Sequence, residues 1–266
     1  MQLKIAHVTR YEFDHPVDYA LQQIRLTPKS RAGQSVLSWN IRLDGAVRQC
    51  EFEDQHNNTV TLASIEPGAR HLEIACEGAV ENANASGIVG AHGGYAPLWY
   101  FQRSTALTRP GPHLRKLAKE AGASGGGELD RLHDLSQRIA ELVAYETGQT
   151  APDTTAEQAL EAGHGVCQDH AHIFVAASRL MGFPARYVSG YFMLTDRVEQ
   201  EAAHAWAEAH IADLGWVGFD VSNRVSPDQR YIRVATGLDY SEAAPVSGVR
   251  FGDGAESMIV SLSVQQ

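Results

Sequence analysis

Gly165-Val166-Cys167-Gln168-Asp169-His170-Ala171-His172 opens an apolar stretch that closes at Gly182-Phe183-Pro184. Ala171, Phe174, Val175, Ala177 and Met181 recur at helical spacing, Gly182 suits a C-cap, and Pro184 blocks continuation. The stretch predicts a helix over 167–181, entered through a glycine turn, with one of the chain's three cysteines in its first turn. Unpaired N–H groups and the positive dipole end of such a turn favour a thiolate at Cys167.

Working outward, Arg186 to Phe192 reads as a strand. Glu201 to Ile211 is two-sided: its alanines favour a helix, whereas His204, Trp206, Glu208 and His210 alternate with Ala205, Ala207 and Ala209. The turn residues Asp213-Leu214-Gly215 and the apolar run Trp216 to Phe219 decide for a strand and a hairpin. A loop over 211–213 pairs His210 with Leu214 and so His204 with Asp220, on one face of the hairpin. A slip of one residue sends those two side chains to opposite faces. Asp213, the rival carboxylate, falls at the turn and is expected to be solvated.

Upstream, the pattern is different. Leu3, Ile5, His7, Thr9, Tyr11 and Phe13 alternate with their neighbours, and further strands are expected over 19–27, 36–43, 47–53, 59–65 and 71–80. This spacing predicts an antiparallel sandwich over 1–82. Residues 83–111 form a Gly-, Ala- and Pro-rich connector whose Trp99-Tyr100-Phe101 cluster is expected to pack against something. Helices are expected over 112–121 and 128–145, with another entered through the capping box Thr154-Thr155-Ala156-Glu157 and ended at Gly163. The fold class is α+β: an antiparallel β-sandwich, the connector, then an α/β core over 112–266.

The 266 residues carry a net charge of −10, with −3 in the first hundred and −7 in the rest, and no Lys/Arg cluster marks a nucleic-acid footprint. No run approaches the ~20 apolar residues that span a bilayer. The N-terminus reads as a strand rather than a signal peptide. A cytoplasmic protein without nucleic-acid or membrane partners is expected. In that compartment Cys50 and Cys76, which could pair only if their strands adjoin, stay reduced.

Each of Cys167, His204 and Asp220 alone is an ordinary core or surface residue; their combination is what points to chemistry. In that reading Cys167 is the nucleophile, His204 its proton partner, and Asp220 the carboxylate that fixes the imidazole. The Cys167 N–H at the helix start is a natural oxyanion donor. Zinc is the competing chemistry, because His164, Cys167, His170 and His172 are dense. On a helix, however, His170 and His172 stand about 200° apart and do not face one ion. The plain alternative makes one of these histidines exposed and the other packed, with Asp169 an acidic first-turn residue. No Asp-x-Asp-x-Asp-Gly calcium loop is present. No metal and no other cofactor is expected.

At these residues the chain resembles the bacterial transglutaminase-like family of cysteine-protease-like proteins. The motifs are the Gly165–His172 stretch, Pro184-Ala185-Arg186-Tyr187-Val188-Ser189-Gly190-Tyr191, His204-Ala205-Trp206 and Gly215-Trp216-Val217-Gly218-Phe219-Asp220. Gly237-Leu238-Asp239-Tyr240-Ser241 and Pro245-Val246-Ser247-Gly248 resemble its closing segment, and the N-terminal part looks like its preceding β-rich domain. The resemblance implies a papain-like α/β core with Cys167, His204 and Asp220 as triad. It further implies amide hydrolysis or acyl transfer on a protein or peptide through a thioester. The alternative is a non-catalytic scaffold that keeps the core. Two positions depart from the family pattern: His170 stands where an aromatic residue is common, and Val221-Ser222 where proline and threonine are.

Overall fold

The alternating N-terminal residues form strands whose apolar side chains fill a sandwich. The computed structural model describes residues 1–195, 198–200, 202–252 and 254–266. Its first six strands are β1 (Gln2–Phe13), β2 (Tyr19–Thr27), β3 (Gln34–Asp44), β4 (Ala46–Glu53), β5 (Thr59–Ile65) and β6 (His71–Asn82). In β1 the period-two pattern is literal: Leu3, Ile5, His7, Thr9 and Phe13 are buried while Gln2, Lys4, Ala6, Arg10 and Glu12 are exposed. Phe13, Ile24, Leu26, Ile65, Leu72 and Ile74 pack together between the sheets. Cys50 on β4 and Cys76 on β6 belong to different sheets, and both are free thiols.

The connector contributes β7 (Ile88–Gly90) and a single 3-10 turn over Leu98–Gln102. Phe101 of that turn is buried, its ring 5.1 Å from Trp216. The core then runs α1 (Pro112–Gly122), α2 (Glu128–Leu142), β8 (Ala144–Tyr145), α3 (Ala156–Ala162), β9 (His164–Gly165) and α4 (Cys167–Leu180). It continues through β10 (Ala185–Phe192), β11 (Glu199–Gln200), β12 (His204–Ile211), β13 (Gly215–Phe219), β14 (Tyr231–Gly237) and α5 (Tyr240–Ala243). An antiparallel sheet of order β14-β10-β12-β13-β7 carries the helices. Ala205, Ala207 and Ala209 of β12 share a buried cluster with Ala171, Phe174 and Val175 of α4, so small residues on the strand admit the helix closely. Truncating the fully buried Phe174 to alanine costs about 3–5 kcal/mol.

Several boundaries differ from expectation. The core does not extend to 266: β15 (Val246–Phe251) and β16 (Glu256–Gln265) return to the sandwich. β16 runs antiparallel to β1 and β15 to β2, giving sheets of order β11-β16-β1-β6-β3 and β15-β2-β5-β4. Without them β1 and β2 would be open edges with unpaired backbone. Leu262 and Val264 also bury against Leu3, Ile5 and Tyr191. The helix expected over 128–145 stops at Leu142, because Ala144 and Tyr145 pair in parallel with His164 and Gly165. The third cap is displaced by one residue: Thr155, not Thr154, caps α3, with Gln158 as its reciprocal partner. Glu157 instead reaches across to α1 and accepts from the N–H groups of Gly111, His113 and Leu114. The strand expected from Glu201 is described from His204 onward; Glu201 lies outside the described residues.

Candidate active site

Cys167 is the first residue of α4, as the glycine turn predicts. Gly165 makes the approach possible, since a Cβ there would lie 2.7 Å from the Cβ of Asp169. Asp169 is almost fully buried, and its Oδ2 accepts from the Val166 N–H at 2.8 Å and from Thr150 Oγ1 at 2.7 Å. Its carboxylate therefore caps α4 as well as favouring the dipole, and the segment carrying the thiol is tied down on both sides.

The β12–β13 hairpin brings His204 and Asp220 to one face, but not in the expected register. Ile211 lies opposite Gly215, His210 opposite Trp216 and Ala207 opposite Phe219. The loop is 212–214, and continuing this register sets Asp220 level with Trp206 rather than His204. Gly215 completes the turn at φ +78°, and a Cβ there would come 2.1 Å from the Gly90 carbonyl oxygen. The shift is two residues, an even number, so both side chains keep the same face. Asp220 then turns sharply, exchanging backbone hydrogen bonds with Val225 at 2.9 and 3.1 Å.

His204 Nε2 donates to Asp220 Oδ2 at 2.6 Å, and the same imidazole makes a hydrogen bond with the Cys167 side chain. Burial alone would lower the pKa of the ring. The Asp220 hydrogen bond and then that of Cys167 outweigh it and lift His204 to about 10. Burial likewise opposes the Asp220 charge, and the donors from His204, Asn223 and Tyr231 overturn it, so the carboxyl titrates below its ordinary value. Phe192, Trp206 and Tyr231 wall the imidazole, the Phe192 ring at 5.4 Å.

Residues 3–81 match the family model of the bacterial transglutaminase-like N-terminal region, and residues 115–221 that of the transglutaminase-like superfamily. The chain joins a transglutaminase-like core to a bacterial transglutaminase-like N-terminal region. Cys167, His204 and Asp220 all lie within the matched core. An uncharacterised protein of Mycobacterium leprae is 25% identical over 277 residues, spanning 99% of this chain and 98% of its own. A protein-glutamine gamma-glutamyltransferase of Pseudomonas aeruginosa is 28% identical over 161 residues, which are 53% of this chain and 23% of that enzyme. The crystal structure of a candidate cysteine protease from Cytophaga hutchinsonii superposes with a TM-score of 0.77 at 22% identity. It covers 100% of this chain and 91% of its own. That likeness is one of fold, and it extends over both the sandwich and the superfamily core.

Both remaining histidines of the motif are buried, which corrects the expectation of one exposed and one packed. His170 Nε2 donates to the Val143 carbonyl at 3.0 Å, so its Nδ1 accepts from Ser222 Oγ at 2.8 Å. Burial keeps this ring neutral by lowering its pKa. His172 Nε2 accepts from the Tyr240 N–H at 3.0 Å, and burial takes its pKa down to about 4. Both side chains are thus committed to joining α4 to its surroundings. Among the described residues no group of three His, Cys, Asp or Glu is placed to hold a metal ion.

Two residues of the site were not read from the sequence. Asn223 Nδ2 donates to Asp220 Oδ2 at 2.7 Å, and the Tyr231 hydroxyl donates to the same oxygen at 2.8 Å. Asn223, three residues after Asp220 in a turn, carries a weak local signal of this role. Tyr231 carries none, because it arrives from β14 across the sheet.

Proposed function

We propose that this protein is a thiol-dependent enzyme that hydrolyses an amide or transfers its acyl group to an amine, through a thioester on Cys167. The observation that carries the reading is a single imidazole, His204, hydrogen-bonded both to the thiol at a helix start and to a buried carboxylate. The sulfur, its proton held by His204, attacks the carbonyl carbon of the substrate amide, and the carbonyl oxygen takes the negative charge. The Cys167 N–H, at the start of α4, is the donor assigned to that oxyanion. The C–N bond then breaks, and His204 delivers its proton to the departing amine. Water or a second amine attacks the thioester, His204 takes its proton, and the thiolate is released. Asp220, supported by Asn223 and Tyr231, holds the ring in one tautomer and stabilises its charged form.

The similarity to a protein-glutamine gamma-glutamyltransferase supports a protein or peptide amide as substrate, glutamine side chains among them. The test is an acyl-enzyme trap. The protein is incubated with a glutamine-containing protein and a dansylated primary amine, and in parallel with a peptide library. Products and the Cys167 adduct are followed by mass spectrometry. Adduct on Cys167, absent from Cys167→Ala and depleted in His204→Ala, supports the reading. Amine incorporation identifies transfer, and cleavage alone identifies hydrolysis. Turnover undiminished in Cys167→Ala sinks it.

A further inference from the structure

Glu208, on the same face of β12 as His204, is fully buried. Two guanidiniums hold it: Arg186 Nε donates to Oε2 at 2.7 Å, while Arg233 donates from Nε to Oε1 at 2.7 Å and from Nη2 to Oε2 at 3.1 Å. One carboxylate thus answers two cations. Arg31 adds a third. Its charge is felt by Glu208 and Arg186, yet its Nε is buried without a hydrogen-bond acceptor, and its guanidinium forms no ion pair with any described residue. Asp228, the other nearby carboxylate, is taken by Arg230 through contacts of 2.7 and 3.0 Å. The ensemble carries two uncompensated positive charges inside a chain whose net charge is −10.

Of these groups Arg31, Glu208, Asp228 and Arg233 line a cavity between the sandwich and the core, together with Gln34, Tyr231 and others. Gln34 sets its wall by accepting from the Arg233 N–H and donating to the Arg233 carbonyl, both at 2.9 Å. About 80 Å³ is open to solvent there, room for several water molecules. Arg31 is half-buried, with its Nε closed off from solvent, and a guanidinium presents a planar fork that matches two oxygens at once. We propose that this cavity binds a small oxyanion, a carboxylate or phosphate group, with Arg31 and Arg233 as its cationic partners. Arg31, the one cation of the lining without a carboxylate partner among the described residues, selects the sign of the ligand. Arg31 stays protonated at neutral pH even though burial lowers it to about 10. Cys167 and His204 do not line the cavity, although Tyr231, which donates to Asp220, and Trp206, which walls His204, do.

The full chain is titrated by calorimetry and by thermal denaturation with sodium phosphate and, separately, sodium acetate, at ionic strength held constant with sodium chloride. Saturable binding of at least one oxyanion, with a rise in Tm, is expected. Phosphate alone acting identifies a phosphate site, and acetate alone a carboxylate site. Arg31→Gln abolishes the response, and in chloride alone its Tm is not below that of the wild type, because the variant removes an unpaired charge. Equal responses in both proteins, or none beyond chloride in the wild type, overturn the assignment. If Arg31→Gln does not fold, Arg31→Lys carries the test: weakened affinity supports the site, and unchanged affinity overturns it.

Discussion

Ser222 Oγ donates to His170 Nδ1 across 2.8 Å, joining helix α4 to the turn that presents Asp220. These are the two positions that the sequence resemblance marks as departures, and they touch each other. The bond spans 52 residues of sequence and links the element carrying the thiol to the one carrying the carboxylate.

The two should behave as a coupled pair. Ser222→Ala leaves the His170 nitrogen without its donor and is expected to cost about 1–2 kcal/mol. His170→Phe and the double variant complete a cycle, with a coupling energy of about 0.5–1.5 kcal/mol read from urea denaturation. Strict additivity would show that the contact contributes nothing.

The His204 titration gives a pH dependence with a definite sign. Its folded value, about 10, lies above the ordinary value of 6.5. The stability from this pairing is therefore complete below about 6.5 and is lost as pH rises towards about 10. Asp220 is shifted the other way, so its contribution is present above the ordinary carboxylate value and lost on acidification. In Asp220→Asn the His204 ring, followed by NMR, should titrate at clearly lower pH. An unchanged titration would dissociate the carboxylate from the ring's charge.

Thiol labelling should separate the three cysteines. Cys76 is buried, and its burial raises the thiol to about 12, so it should stay unlabelled in the native protein. Cys167 meets His204, whereas Cys50 is exposed on β4. Iodoacetamide should modify Cys167 first, and at acidic pH the rate at Cys167 alone should fall in His204→Ala. Peptide mass spectrometry reads the rates. Parallel rates at Cys50 and Cys167, unaffected by His204→Ala, would remove the special role of the pair.

Tyr231→Phe tests the support of the carboxylate. It deletes one of three donors to Asp220 Oδ2, and a bond to a charged acceptor is worth about 1.5–3 kcal/mol. The acidic limb of Cys167 labelling should move upward in pH, because Asp220 becomes easier to protonate. A variant that only loses stability, with the labelling profile in place, would make Tyr231 a packing residue.

Glu157 offers a test away from the site. Its carboxylate caps α1 through three backbone N–H groups from across a helix boundary. Glu157→Ala should lower stability by about 1–2 kcal/mol in urea denaturation without altering Cys167 labelling. A neutral substitution would mean that water caps α1 equally well.

Much of this architecture was legible in the chain itself, because its information is local. Period-two burial in β1, the helix beginning at Cys167 and ended by Gly182 and Pro184, and the alternation of β12 follow from neighbouring residues and backbone sterics. So does the shared face of His204 and Asp220, which depends on whether the register shifts by an even or odd number. The register itself did not follow, since Gly215 adopts its left-handed conformation against the Gly90 backbone. Nor did the destination of β15 and β16, whose partners β1 and β2 lie more than two hundred residues earlier. Tyr231 on Asp220, Ser222 on His170, and Arg31, Arg186 and Arg233 around Glu208 share the same origin. Each is a meeting of polar groups from different elements of the fold, made obligatory only when folding removes water from them.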